Sequence, residues 1–100
     1  MSVLEVARLR VRREADEKFE EAFAEAHSLL QAAVGHLWSE LAREVEGGDY
    51  LLLVRWRAIE DHVQGFVNSE DFTRFRDLLW PHFAEDPTVA HFQEPAGATA

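Results

Sequence analysis

Glu5 is the residue of this sequence whose position best suits acid–base chemistry. It shares the alternation of Val3, Ala7 and Leu9, so on a strand its carboxylate points to the same side as these apolar side chains. Burial disfavours the charged form of a carboxylate and raises its pKa, which makes Glu5 a candidate general base. The alternative is that Glu5 forms a structural ion pair with an arginine such as Arg76.

Two further polar residues could serve a cleft beside Glu5. His82 follows Pro81 where a helix should end, and an imidazole at the mouth of a cleft could act as acid or base near neutral pH. Arg76 could bind an anionic oxygen of a substrate through charge-assisted hydrogen bonds. The alternatives are a solvated loop histidine and a surface arginine paired with a neighbouring carboxylate.

Three aromatic residues, Trp56, Phe66 and Trp80, could form a wall against a planar ligand, because aromatic rings offer large contact areas and offset stacking. The alternative is that they pack in the core, as such residues commonly do. The sequence has no cysteine, and its five histidines include no pair at a metal-ligand spacing such as His-x-x-x-His. We therefore predict no metal site.

The composition limits the partners of this chain. Its 100 residues suit one small domain. The formal net charge of -9 repels nucleic-acid phosphates and anionic lipid. No apolar run approaches the roughly 20 residues of a membrane span, and the N-terminus lacks the pattern of a signal peptide. We expect a cytoplasmic protein whose partners are neither nucleic acid nor membrane.

The residues above must be positioned by the strands and helices that the sequence predicts. Apolar periodicity and turn residues predict strands over 3–11, 36–46, 49–57 and 87–93, helices over 15–33 and from the N-cap Ser69 to about Trp80, and a short helical turn over 58–67. The order βαββαβ is typical of the ferredoxin-like α+β fold, a four-stranded antiparallel sheet with two helices on one face. Residues 1–95 are predicted to form the domain, and the small residues 96–100 a disordered tail.

The predicted sheet is apolar on both faces. The third strand contains Leu51-Leu52-Leu53-Val54, and the first adds Leu4 and Val6 on the side opposite Glu5. Helices cover one face only, and an exposed apolar patch of this kind usually marks a partner. We therefore predict a homodimer formed through the sheet face. The alternative is that these residues lie half-exposed at strand ends.

Several segments together resemble the antibiotic biosynthesis monooxygenase superfamily, whose small ferredoxin-like proteins dimerise through their sheets into an α+β barrel. These segments are the first-strand pattern 6–11, the helix residues Phe19 to Phe23, Gly35 before the second strand, the strand from Tyr50 to Trp56, and Ser69 to Phe72 at the start of the second helix. The resemblance extends from Val3 to about Gln93.

The resemblance implies oxidation of a phenolic or quinol-type aromatic substrate by dioxygen without metal or cofactor, or, in one branch, haem degradation. The haem-degrading Asn, Trp and His fall on Ala7, Phe66 and Arg76, and the His of quinol-oxidising members also falls on Phe66. Neither signature is present, and haem binding would need another axial ligand.

Two hypotheses follow. The first is a cofactor-independent monooxygenase that acts on a small aromatic molecule in an open cleft, with Glu5 and His82 as catalytic residues and Arg76 and the three aromatic residues as substrate-binding residues. The second is a noncatalytic dimeric protein that binds a small ligand or a protein partner. In that case we expect Trp56, Phe66, Phe72 and Trp80 to fill the cleft.

Overall fold

A four-stranded antiparallel sheet in the order β2-β3-β1-β4 carries the helices on one face. The structure is a computed structural model that describes residues 2–95. The strands are β1 (Val3–Arg10), β2 (His36–Arg43), β3 (Asp49–Trp56) and β4 (Thr88–Phe92), and the helices are α1 (Asp16–Gln31) and α2 (Glu70–Leu79). A π-helix (Asp61–Phe66) precedes α2 and a 3-10 turn (Trp80–His82) follows it. The predicted ferredoxin-like α+β fold is confirmed.

The observed elements are slightly shorter than predicted. β2 ends at Arg43 rather than at residue 46, because the chain already turns there, and the Glu44 amide donates to the Asp49 carbonyl at 2.8 Å. The segment predicted as a short helical turn over 58–67 is the π-helix. The predicted disordered tail, 96–100, lies outside the described residues.

Alternation along β1 and β3 builds the core. Glu5, Ala7 and Leu9 of β1 and every second residue of β3 from Tyr50 to Trp56 are buried. The apolar faces of the helices cover them, with Phe19, Phe23, Ala26 and Leu30 from α1 and Phe75 and Leu79 from α2. The predicted inward phase of Glu5 is therefore confirmed.

Two local features fix the start of α2 and the turn before β2. The Ser69 hydroxyl accepts a hydrogen bond from the Phe72 amide at 3.1 Å, so Ser69 is the N-cap of α2, as predicted. Gly35 adopts a φ of 86°, and a β-carbon there would collide with the Asp61 side chain. Glycine thus lets the turn before β2 pass closely beside the start of the π-helix.

The opposite face of the sheet is partly apolar, and no helix of the described residues covers it. Its apolar side chains are half-buried or exposed: Leu4, Val6, Trp38, Leu51, Leu53 and Phe92. We call this set the outer patch. Trp38 and Phe92 are 45% and 54% exposed. No helix within residues 2–95 is long and apolar enough to cross a membrane.

Candidate functional site

A cavity of about 520 Å³ opens between the sheet and the helices. This volume lies in the range of pockets that bind small molecules. Its lining is mainly aliphatic and aromatic, with contributions from every layer of the fold: Ala7, Leu9, Leu30, Leu52, Val63, Phe66, Val67, Phe72, Phe75, Leu79, Trp80, Phe83, Pro87 and Val89. The titratable side chains in the lining are Glu5, His62, Asp86 and His91. The cleft is open, as the first of the two hypotheses requires.

Glu5 lies in the wall formed by β1, between β3 and β4. It is only 6% exposed, and it pairs with Val54 on one side and His91 on the other. The Trp56 indole Nε1 donates a hydrogen bond to Glu5 Oε1 at 2.9 Å. Burial raises the pKa of Glu5 from 4.5 to about 7, and the hydrogen bond from Trp56 offsets only part of this effect. Glu5 is therefore poised to accept or release a proton near neutrality.

His62 enters the cavity from the π-helix. The amide of Val67 donates to the His62 carbonyl at 3.0 Å, five residues back, and this wider turn buries both His62 and Phe66. Single π-turns of this kind often occur at functional sites. The His62 ring stacks on the Trp56 indole, with the ring centroids 5.3 Å apart and the planes 12° from parallel.

The two nitrogens of His62 have different partners. Nε2 lies 3.4 Å from Glu5 Oε1, and Nδ1 lies 2.7 Å from Nε2 of His91. Burial lowers the pKa of His62 from 6.5 to about 4, and the neighbouring His91 adds to this effect. His62 is thus neutral near pH 7, with one nitrogen protonated and the other free to accept a hydrogen bond.

The structure separates the predicted aromatic residues into two groups. Phe66 and Trp80 line the cavity. Trp56 is fully buried and does not appear in the lining; it lies behind Glu5 and His62 and contacts both. Its position therefore suits holding the carboxylate in place better than contacting a ligand.

The structure brings neither Arg76 nor His82 into the lining of the cavity. Arg76 is half-exposed, and its Nε lies 3.8 Å from the carboxylate of Asp77, so the alternative ion pair with Glu5 is wrong. His82 ends the 3-10 turn, and its carbonyl accepts a hydrogen bond from the Arg12 amide at 2.8 Å.

The sequence-based prediction missed His62 and His91. His62 lies four residues before Phe66, a spacing that places both on one side of a helical turn, and this was the available signal. His91 could not be assigned in the same way. It faces Glu5 only through the register of β1 with β4, which a search for metal-ligand spacings does not reveal.

The chemistry of the site is that of a proton acceptor in an apolar, aromatic pocket. Within residues 2–95 there is no group of three histidine, cysteine or acidic side chains placed to hold a metal ion. A buried carboxyl with a near-neutral pKa beside a neutral imidazole is typical of general acid–base chemistry. Within the described part of the chain, no lysine or arginine lines the cavity.

Comparisons with known proteins agree with this fold. The sequence profile described as antibiotic biosynthesis monooxygenase matches residues 2–78. The uncharacterized protein YczJ of Bacillus subtilis (strain 168) is 34% identical over 93 residues, which are 92% of this chain and 98% of that protein.

Solved structures extend the comparison. A Bordetella bronchiseptica protein assigned to the antibiotic biosynthesis monooxygenases superposes with a TM-score of 0.90 at 33% identity, over 94% of this chain and 97% of the other. SnoaB, a cofactor-independent oxygenase from Streptomyces nogalater, has the same fold, with a TM-score of 0.82 at 19% identity over 94% and 93% of the two chains. The chain belongs to the antibiotic biosynthesis monooxygenase family.

Proposed function

We propose that this protein is a cofactor-independent monooxygenase of the cytoplasm that oxidises a small aromatic substrate of the phenol or quinol type with dioxygen. The observation that carries the proposal is Glu5, a buried carboxyl with a pKa of about 7 in the wall of an open aromatic cavity. A base whose pKa lies near the working pH is ionised in a substantial fraction of the molecules and still binds a proton strongly enough to remove it from a substrate. Phe66 and Trp80 offer the ring faces against which a planar substrate would stack.

An anthrone-like substrate illustrates the balance of the reaction. Glu5 takes the hydroxyl proton of the enol form, and the electron-rich anion reduces dioxygen as a carbon–oxygen bond forms. The resulting hydroperoxide anion takes the proton back from Glu5. Cleavage of the oxygen–oxygen bond with loss of the remaining hydrogen on that carbon then gives a ketone and water. One oxygen atom of dioxygen enters the product and the other leaves as water.

The charged groups that line the cavity restrict the charge that a substrate can carry. Among residues 2–95, the titratable groups of the lining are two acids, Glu5 and Asp86, and two histidines, with no lysine or arginine to pair with an anion. A substrate that carries a carboxylate or phosphate would lose its hydration without compensation. We therefore infer that the substrate binds uncharged and donates its hydroxyl to Glu5. Carboxylated analogues of an active phenol should show a higher KM.

We also propose that a second copy of the chain covers the outer patch. The patch is an apolar surface continuous across β1, β3 and β4, with Trp38 added from β2. Such surfaces on small proteins usually form interfaces. Sedimentation equilibrium at micromolar concentration should give a dimer, and Leu53→Glu should give a monomer. A monomeric wild-type protein would contradict this proposal.

Oxygen consumption by the purified protein tests the function. A panel of quinols, anthrone-like phenols and naphthols should include a substrate oxidised above its autoxidation rate under metal-free conditions. Glu5→Gln should lower kcat by about 10²- to 10⁴-fold, the range for a lost general base. Glu21→Gln, on the exposed side of α1, is the matched control and should retain full activity.

The other results have distinct meanings. Turnover that survives in Glu5→Gln would remove Glu5 as the base. Tight binding of panel members without turnover would instead favour the noncatalytic ligand-binding protein. A His82→Ala variant decides the sequence-based prediction for that residue, since a loss of turnover would give His82 a part in the reaction.

A further inference from the structure

A continuous row of side chains leads from the buried carboxyl of Glu5 to the edge of the sheet. The row passes from Glu5 through His62 to His91. Glu5 Oε1 lies 3.4 Å from His62 Nε2, and His62 Nδ1 lies 2.7 Å from His91 Nε2. Glu5 and His62 have side chains only 7% and 11% exposed. His91 is half-buried and lies on β4, the edge strand of the sheet in the described residues. The row therefore connects an enclosed acid to a residue within reach of solvent.

We propose that His62 and His91 form a proton relay between Glu5 and solvent, in which the protonated nitrogen of His62 switches with the charge of Glu5. The proposal rests on the proposed function only in that it gives Glu5 the role of base. Only the ionised form of Glu5 can accept the substrate hydroxyl proton, so a Glu5 that is protonated when the substrate binds must first lose its proton. A substrate that fills the cavity closes the direct route to water. The relay offers a second route through the cavity wall.

The relay moves one proton from Glu5 to solvent. When Glu5 is protonated, its hydroxyl faces the free Nε2 of His62, and His62 Nδ1–H donates to Nε2 of His91. Transfer of the Glu5 proton to Nε2, with transfer of the Nδ1 proton to His91, leaves Glu5 ionised and His91 doubly protonated. His91 then releases its Nδ1 proton to water. His62 ends as the Nε2–H tautomer, which donates to the Glu5 carboxylate.

The surroundings of His62 favour this two-state behaviour. The Trp56 indole, against which the ring stacks, restricts the imidazole plane, so that its two nitrogens keep facing Glu5 and His91. Among the lining residues, β3 and α2 contribute only apolar side chains. In the part of the lining that the structure describes, the one further titratable group is Asp86. Asp61, next to His62 in sequence, is paired with Arg57 at 2.8 Å.

The two steps of the relay differ in length. The contact between His62 and His91, at 2.7 Å, is already a short hydrogen bond, whereas the contact between Glu5 and His62, at 3.4 Å, is longer than a normal one. Proton transfer along the longer step requires the Glu5 carboxylate to turn toward Nε2. The terminal torsion of a glutamate is broad, so this rotation needs no rearrangement of the backbone.

Nitrogen-15 NMR of the histidine rings in the full chain tests the relay without any substrate. Between pH 5 and 9, which brackets the pKa of Glu5 of about 7, the protonated nitrogen of His62 should change from Nδ1 to Nε2 as Glu5 ionises. In Glu5→Gln, which keeps position 5 uncharged, His62 should keep a single tautomer across this range. His27→Gln, a histidine outside the cavity lining, is the control and should leave the switch unchanged. A His62 protonated on the same nitrogen throughout in the wild-type protein would overturn the proposal.

Kinetics separates failure of the relay from failure of the proposed function. With an active substrate, His91→Phe should lower kcat about tenfold and added imidazole should restore it, as expected when a proton carrier is replaced. His91→Gln serves if the Phe variant folds poorly. A tautomer switch without turnover of any substrate would support the relay and contradict the proposed function. Turnover with a fixed His62 tautomer would support the function and contradict the relay.

Discussion

Two clusters of histidines in this protein look alike in their hydrogen bonds and differ in what surrounds them. In the cavity cluster, His62 contacts Glu5 and His91. In the second cluster, which we call the serine-bridged pair, Nε2 of His27 and Nε2 of His36 lie 2.6 Å and 2.7 Å from the Ser39 hydroxyl. Neither histidine of this pair nor Ser39 lines the cavity.

The two clusters differ in that only the cavity cluster contains a buried carboxyl, Glu5, and lines a cavity that a ligand can enter. Burial lowers the pKa values of His27 and His36, and it does the same to His62. Only His62 also contacts a buried acid whose pKa is raised. A lowered histidine pKa by itself therefore does not identify a reactive site, whereas an acid and an imidazole that share a cavity wall are suited to move a proton.

The largest expected effect is the pH dependence that Glu5 imposes on stability. Its pKa is raised from 4.5 in the unfolded chain to about 7 in the folded protein, so the folded state holds the proton more tightly. This contribution to stability is present below pH 4.5 and is lost as the pH rises through 7. The loss is about 3 kcal/mol, at about 1.4 kcal/mol for each pKa unit.

Urea unfolding of the wild-type protein and of Glu5→Gln measures this term. The free energy of unfolding of the variant should gain about 3 kcal/mol relative to wild type between pH 4.5 and 7.5. The lowered pKa of His62 acts in the opposite direction, since its contribution is lost as the pH falls from 6.5 through 4, and to first order it cancels in the difference. A difference that does not change with pH would place Glu5 in a solvated environment.

The second prediction concerns the support that the cavity cluster receives from Trp56. Trp56→Phe removes the hydrogen bond to Glu5 and leaves a void in the core. The free energy of unfolding should fall by about 2 kcal/mol. The pKa of Glu5 should rise further, because the lost hydrogen bond stabilised the charged form. Calorimetry and a pH titration check the two effects, and an unchanged pKa would contradict the role of Trp56.

The third prediction contrasts the two clusters directly through activity. His62→Gln should lower kcat about tenfold, because Glu5 loses its imidazole neighbour. His27→Gln in the serine-bridged pair should leave kcat unchanged, because His27 lies outside the cavity lining. Steady-state oxygen consumption measures both variants. Equal losses in the two would show that the distinction between the clusters is wrong.

The smallest effect is expected from the serine-bridged pair itself. Ser39→Ala removes the hydroxyl between His27 and His36, and each histidine loses a hydrogen-bond partner. The free energy of unfolding should fall by about 1 kcal/mol, with no change in turnover. Thermal unfolding together with the oxygen assay gives both numbers. A loss of turnover in a variant of normal stability would contradict the structural role of this pair.

Periodicity and turn residues in the sequence predicted the fold of the protein and one residue of the site, Glu5. The alternation of β1 placed Glu5 inward, and the structure confirms its burial. The same rules could not find His91, because its approach to Glu5 depends on the pairing of two strands far apart in sequence. Nor could they exclude Arg76 from the cavity, since the packing of α2 against the sheet, and not periodicity alone, decides which of its side chains reach the lining.

Carbon-13 NMR of the Glu5 side-chain carboxyl, assigned by its loss in Glu5→Gln, tests the central claim most directly. The claim is that burial beside the cavity keeps this carboxyl protonated up to near-neutral pH. The chemical shift should titrate with a midpoint of about 7. A midpoint near the ordinary 4.5 would show that Glu5 is an ordinary ionised carboxylate and would remove the basis for both proposals about its chemistry.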